Sequence, residues 1–355
     1  MKINNYIDYI VTKGLNIQKF DIVEITTSVY LEKYNKLLEK ACLQKGASLI
    51  FIKYTDGKEL EDAISLNCNL YIENEVERYK KLINKKFVRI KINSPFLPKM
   101  VLDDKTIKIY KDKISSLRFV EEYFSNLKAR FTICSLPNPF WAQKLKISED
   151  ELLDRIINLC FKENNYLEKI NTLNLKKLKF IDEFSNIEFE LTNNFLFQGK
   201  KQSCDNIVFE PNVPCLEIYT APNKIGINGY ILANRTMNYN GNLIDHIYIK
   251  FNSGLVIDSN IDDIIKKNGM NRCGEIALSE YVEVSYLNTI LDENCSPHLA
   301  LGKAYKYGIT EINKINNCDH HFDICFGTKN MHVYGETNDK EYLIMENGRF
   351  VIEEI

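Results

Sequence analysis

From Ile3 to Cys134, helix-like and strand-like patterns take turns along the chain, and this alternation restricts the possible fold more than any other feature of the sequence. Ile3, Tyr6, Ile7, Ile10 and Val11 recur at helical spacing and stop at Gly14. Asp21 to Ile25 then reads as a strand. Leu31, Tyr34, Leu38, Ala41 and Cys42 return to helical spacing before Gly46, and Ser48 to Tyr54 is an apolar run ending in the turn Thr55-Asp56-Gly57. The cycle repeats with a helix over Glu73 to Lys86, a strand over Phe87 to Ile92, one long helix over 106–129 and a strand over Phe131 to Cys134. Such alternation predicts an α/β domain built on a doubly wound, mostly parallel sheet. No Gly-x-Gly-x-x-Gly or Gly-Lys-Ser/Thr follows any of these strands, so nucleotide binding is not signalled.

A proline-rich corner, Leu136 to Trp141, holds the only tryptophan. Ser148 and Glu151 form a capping box at the start of a helix carrying Leu152, Ile156, Leu159 and Cys160. A further helical, lysine-rich stretch is expected to end near Phe180, with its charges on a solvated face. After that the character changes. Strand-like runs over 186–197, Ile207 to Phe209, Leu216 to Thr220, Tyr230 to Ala233, His246 to Phe251 and Leu255 to Ile257 are separated by turn signals, among them Asn228-Gly229, Asn240-Gly241 and Ser253-Gly254. The expected organisation is an N-terminal α/β domain over 1–182 and a C-terminal strand-rich, mixed α/β domain over 183–355, with one helix around 259–268. The second domain carries the candidate metal site.

Charge narrows the partners. Lys plus Arg number 46 against 48 Asp plus Glu, which leaves no electrostatic reason to expect nucleic acid or an anionic membrane. The first residues, MKINNYIDYIVTKGLNI, lack the uninterrupted apolar stretch of a signal peptide, and no run is long enough to span a bilayer. A cytoplasmic location is expected. The 10 cysteines contain no CxxC pair, so they read as small buried apolar residues of a reducing compartment.

Histidine is scarce, at 5 in 355 residues, yet His298, His320 and His321 fall close together among Glu275, Glu293, Asp319 and Asp323. Imidazole and carboxylate together suit zinc, cobalt or manganese. In His321-Phe322-Asp323 the two polar side chains would share one face of a strand while Phe322 and Ile324 pack the other. Each residue also has a plainer reading. An isolated His-x-Asp is commonly a hydrogen-bonded pair, and His298, in Pro297-His298-Leu299-Ala300-Leu301-Gly302, is equally a satisfied core histidine. Glu275, before Ile276-Ala277-Leu278, is costly to bury unless something pairs with it.

Four segments, in order, resemble the thermophilic aminopeptidase (aminopeptidase T, M29-type) metallopeptidase family. They are Asn212 to Pro222 (NVPCLEIYTAP), Gly274 to Leu278 (GEIAL), Asp292 to Tyr305 (DENCSPHLALGKAY), and His321-Phe322-Asp323 followed by Gly327. Lys45-Gly46-Ala47 and Pro137-Asn138-Pro139 with Trp141 extend the likeness into the N-terminal half. The resemblance implies a metalloaminopeptidase that releases N-terminal residues from peptides with a free N-terminus. It also implies a homodimer and two divalent metal ions per chain (Zn, Co, Mn or Mg), surrounded by Glu217, Glu275, His298, Tyr305, His321 and Asp323. Glu275 is implied as the proton-shuttling base and Tyr305 as a metal or oxyanion partner. Family members commonly carry two polar positions before the aromatic of the first segment, where this chain has Leu216 and then Glu217; the second position is taken as the ligand. The same residue types would also serve a two-metal hydrolase of another amide or ester, and a non-catalytic relative that binds a peptide or small ligand would keep the same fold.

Overall fold

The N-terminal alternation closes into a parallel sheet of five strands, in the order Leu49–Tyr54, Ile22–Thr27, Val88–Asn93, Phe131–Ser135 and Asn212–Val213. The structure is a computed structural model and describes residues 2–57, 68–99, 103–239, 242–261, 269–287 and 289–352. The chain divides into two compact units, residues 1–161 with 201–214 and residues 162–200 with 215–355. The sequence changes character near 182, whereas the chain crosses between units at 161/162, 200/201 and 214/215. The excursion has a local cause. Residues 212–213 supply the fifth parallel strand, and the Glu210 amide donates to the carbonyls of Lys13 and Gly14 while its carboxylate accepts from the Tyr9 hydroxyl.

Within this unit the helix expected over 106–129 is two helices, Asp104–Ser116 and Arg118–Ser125. Leu117 breaks the run with φ −99° and ψ 8°, and it packs in an aromatic cluster with Tyr79, Phe87, Val120, Tyr123 and Phe124. Helical spacing holds across the break, so periodicity alone does not reveal it. Ser148 caps the helix Glu149–Cys160 as expected, accepting from the Glu151 amide at 3.0 Å.

The second unit is built on two antiparallel sheets. The larger runs in the order Leu255–Ser259, Ile247–Asn252, Pro222–Ala233, Asn186–Leu191, Lys177–Ile181, His332–Glu336, Glu341–Glu346 and Arg349–Phe350. Two sequence expectations are corrected here. The lysine-rich stretch before Phe180 ends as a strand, because Lys177-Leu178-Lys179-Phe180 alternates: Leu178 and Phe180 enter the core while Lys177 and Lys179 face Glu188. Asn228-Gly229 is no hairpin turn, since Pro222–Ala233 runs through it. A Cβ on Gly229 would lie 2.1 Å from the Asn186 carbonyl oxygen, so glycine here serves close strand approach. The Asn240-Gly241 turn and most of the helix expected around 259–268 lie outside the described residues.

The smaller sheet has four strands, in the order Ile218–Thr220, Cys273–Leu278, His298–Gly302 and His321–Cys325. One face is apolar: Ile276, Leu278, Leu299, Leu301, Phe322 and Ile324 pack into the same core as Leu178, Phe180, Phe189, Ile231 and Ile249 of the larger sheet. Burying each such side chain contributes about 1.5–3 kcal/mol. The opposite face carries the polar side chains. No helix among the described residues is long and apolar enough to cross a membrane.

Candidate metal centre

Cross-strand register sets the site. Glu275 stands opposite Ala300, and Ala300 opposite Asp323, so the two carboxylates flank a small residue in one row. In the next row Ala277, His298 and Cys325 are opposite one another, and His321 faces Gly302 one step the other way. His321 and Asp323 share a face, as their two-residue spacing predicts, and the His321 Nε2 lies 3.0 Å from the Asp323 Oδ1.

Glu275 reaches this face through a bulge. The register steps from Cys273 opposite Leu301 to Glu275 opposite Ala300, which leaves Gly274 as the extra residue. Cys273 therefore joins the apolar core while Glu275, two residues later, turns to the polar face. A Cβ on Gly274 would meet the Gly302 and Lys303 carbonyl oxygens at 2.5 Å, so the bulge requires glycine.

Both imidazoles are held the same way. The His298 Nδ1 lies 3.2 Å from the Ser296 carbonyl oxygen and the His321 Nδ1 2.8 Å from that of Lys303. With Nδ1 donating to a carbonyl, each ring presents Nε2 to the carboxylates, the arrangement that fixes tautomer and orientation in metal-binding histidines. The His298 Nε2 is 3.0 Å from Glu217 Oε2 and 3.8 Å from Glu275 Oε1. Despite the short distance, the geometry with Glu217 is not that of a hydrogen bond: His298 Nε2 and Glu217 Oε2 are both buried and without a hydrogen-bond partner. Two such atoms converging in the interior fit a cation between them.

Two groups of donors lie close enough to hold an ion: Glu217, Glu275 and His298, and Glu275, His321 and Asp323. Glu275 belongs to both. The segment before Glu217 is tied down, since the Leu216 amide donates to Asn294 Oδ1 and its carbonyl accepts from Asn164 Nδ2. Tyr305, the sixth expected residue, stacks its ring 5.6 Å from that of Tyr307 and sits tilted, 5.2 Å from the ring of His321. Burial and then the nearby Glu275 and Asp323 push its hydroxyl pKa up. His320 is exposed, one residue ahead of the strand. Neither donor group includes a cysteine.

The structure adds a carboxylate that motif spacing did not single out. Glu293 ends the short helix Thr289–Glu293, is buried, and acts electrostatically on Asp323 while belonging to neither donor group. The available signal was its place among the carboxylates interleaved with the histidines, in the third segment. Burial, followed by the charges of Asp323 and Glu217, pushes the Glu293 carboxyl well above the usual range. Burial also raises Glu275, with His298 opposing. Burial lowers the imidazoles, but the carboxylates outweigh it: His298 is held well above its ordinary value by Glu217 and Glu275, and Asp323 pushes His321 up to about 10. Glu217, Glu275, Glu293 and Asp323 are buried together with no lysine or arginine paired to them among the described residues. Carboxylates buried this way require compensation, which the protons they retain, the two imidazoles or bound cations can supply.

Ala300 leaves the space between Glu275 and Asp323, being wholly buried with only a methyl group. Ala300→Val is expected to lower metal content more than stability: crowding there costs about 1–3 kcal/mol, while the added branches separate the carboxylates. Elemental analysis beside a thermal melt measures both.

The thermophilic metalloprotease (M29) family model matches residues 1–350. Aminopeptidase AmpS of Bacillus subtilis (strain 168) is 25% identical, covering 98% of this chain and 98% of the relative. Aminopeptidase 2 of Geobacillus stearothermophilus is 23% identical with 99% and 98% covered, and aminopeptidase T of Thermus aquaticus is 21% identical with 99% and 98% covered. The solved structure of wild-type AmpT from Thermus thermophilus superposes with a TM-score of 0.82 at 20% identity, covering 99% of each chain, which shows a shared fold.

Proposed function

The chain belongs to the thermophilic metalloprotease family M29, and on that premise we propose that it releases the N-terminal residue of peptides by means of two divalent cations, one held by Glu217, Glu275 and His298 and one by Glu275, His321 and Asp323. The observation that carries this reading is that two donor groups share one carboxylate. Full-length relatives named as aminopeptidases support the reaction class.

Divalent ions bound there supply Lewis acidity toward the peptide carbonyl and acidify a water. The chain's own residues orient and move protons. Glu275 spans the two groups and sets their separation. The resemblance implies Glu275 as the proton-shuttling base, but both donor groups share Glu275, so that role moves to Glu293. Glu293 stands beside Asp323 outside both groups and, once ionised, accepts a proton from the attacking water and returns it to the departing amine. The Tyr305 hydroxyl, beside His321, keeps its proton and donates to the oxyanion that forms as the carbonyl is attacked. A cluster carboxylate pairs with the substrate's free ammonium, which confines cleavage to the first residue. The homodimer is part of the same proposal and is read by sedimentation.

Chelator-stripped protein is expected to release no residue from peptides and to recover when zinc, cobalt, manganese or magnesium is returned singly. Release from free-amino peptides but not from N-acetylated ones supports the reading. Equal release from both, or activity indifferent to chelation, overturns it.

A further inference from the structure

Arg235 lies outside both donor groups, and among the described residues no hydrogen bond or ion pair joins it to a member of either, yet its surroundings converge on the site. Its side chain is 9% exposed. One guanidinium gathers three backbone carbonyls: Nη1 donates to Val284 at 2.5 Å, and Nη2 donates to Val282 and, at 3.0 Å, to Cys295. Nη1 also lies 3.5 Å from the buried Asp292 carboxylate, and the group sits 5.0 Å from the centre of the Tyr281 ring. Asp292 in turn accepts from the Tyr286 amide at 2.9 Å, and the Val282 amide donates to the Cys295 carbonyl at 2.9 Å.

The clamped stretch sets three site groups at once. Between Asp292 and Cys295, both bound by Arg235, lie Glu293, which meets Asp323, and Asn294, whose Oδ1 accepts from the Leu216 amide next to Glu217. The following residue, Ser296, offers the carbonyl that anchors the His298 ring. A planar fork with five donors holds several carbonyls in a fixed geometry, which a flexible ammonium does not reproduce. We propose that Arg235 is a positioning residue of the metal centre: by pinning Val282, Val284, Asp292 and Cys295 it fixes Glu293, the approach of Glu217 and the orientation of His298. This inference rests on the proposed metal site and goes beyond it.

The test compares wild type, Arg235→Met and Arg235→Lys for metal content after dialysis against defined free zinc, for kcat and KM on a free-amino peptide, and for thermal unfolding. Removal of a partner that orients ligands costs about 10–100-fold in metal affinity or activity. Arg235→Met is expected to show that loss in zinc affinity and in kcat, with KM changed less than about threefold, and Arg235→Lys to recover only part of it. Should Arg235→Met fail to fold, Arg235→Lys decides, since it keeps charge and stem but not the fork. A folded variant with wild-type zinc affinity and kcat and only a lowered Tm makes Arg235 merely structural and overturns the inference. Wild-type protein that binds none of zinc, cobalt, manganese and magnesium overturns the metal reading itself.

Discussion

Glu275→Ala is expected to remove turnover and metal together. In each donor group one ligand of three would be lost, and the same carboxylate is the one lost from both. Loss of a group that only orients a ligand already costs about 10–100-fold, so loss of a shared ligand is expected to cost at least about 100-fold in affinity for each ion and to take activity below detection. Glu275→Gln separates charge from shape: the amide keeps an acceptor oxygen but no longer compensates a cation, so turnover is again expected to vanish while the fold remains. The metal-free protein is not expected to lose stability, because Glu275 is buried among Glu217, Asp323 and Glu293, and removing one like charge relieves their repulsion. Elemental analysis, a peptide-release assay and a melt in chelator distinguish these effects. An unchanged rate in Glu275→Gln would sink the assignment.

Glu293→Gln is expected to separate catalysis from metal binding. Glu293 lies beside Asp323 but in neither donor group, so both ions are expected to remain at wild-type occupancy. The amide neither accepts nor returns a proton, and loss of a positioned acid–base group lowers rates about 10²–10⁴-fold. That loss is expected in kcat, with KM nearly unchanged, because the residue acts on the proton in the transition state. A parallel loss of metal would instead make Glu293 part of the ligand shell, and an unchanged kcat would return the proton to another group. Comparison with Glu275→Gln in the same assay tells the shared carboxylate from the proposed proton carrier.

Much of the fold was legible because its periods are local. The strand and helix alternation before Cys134 corresponds to the parallel sheet, since apolar spacing of two or near 3.6 responds to burial on one side of an element. Where the expectation fails, the cause is not local. Leu117 interrupts a helix to enter an aromatic cluster. Residues 201–214 belong to the N-terminal unit through a strand of two residues, too short to leave a pattern.

The site divides along the same line. The sequence by itself determined the ligand chemistry, the strand on which His321 and Asp323 share a face, and the apolar residues that alternate with them. Tertiary structure alone decided that Gly274 bulges so that Glu275 leaves the core face, that Ala300 separates Glu275 from Asp323, that Glu293 arrives beside Asp323, and that Arg235 ties down the segment delivering it. The physical reason is range: side-chain alternation is set by adjacent residues, whereas register, bulges and buried charge pairing are set by atoms brought together from distant parts of the chain.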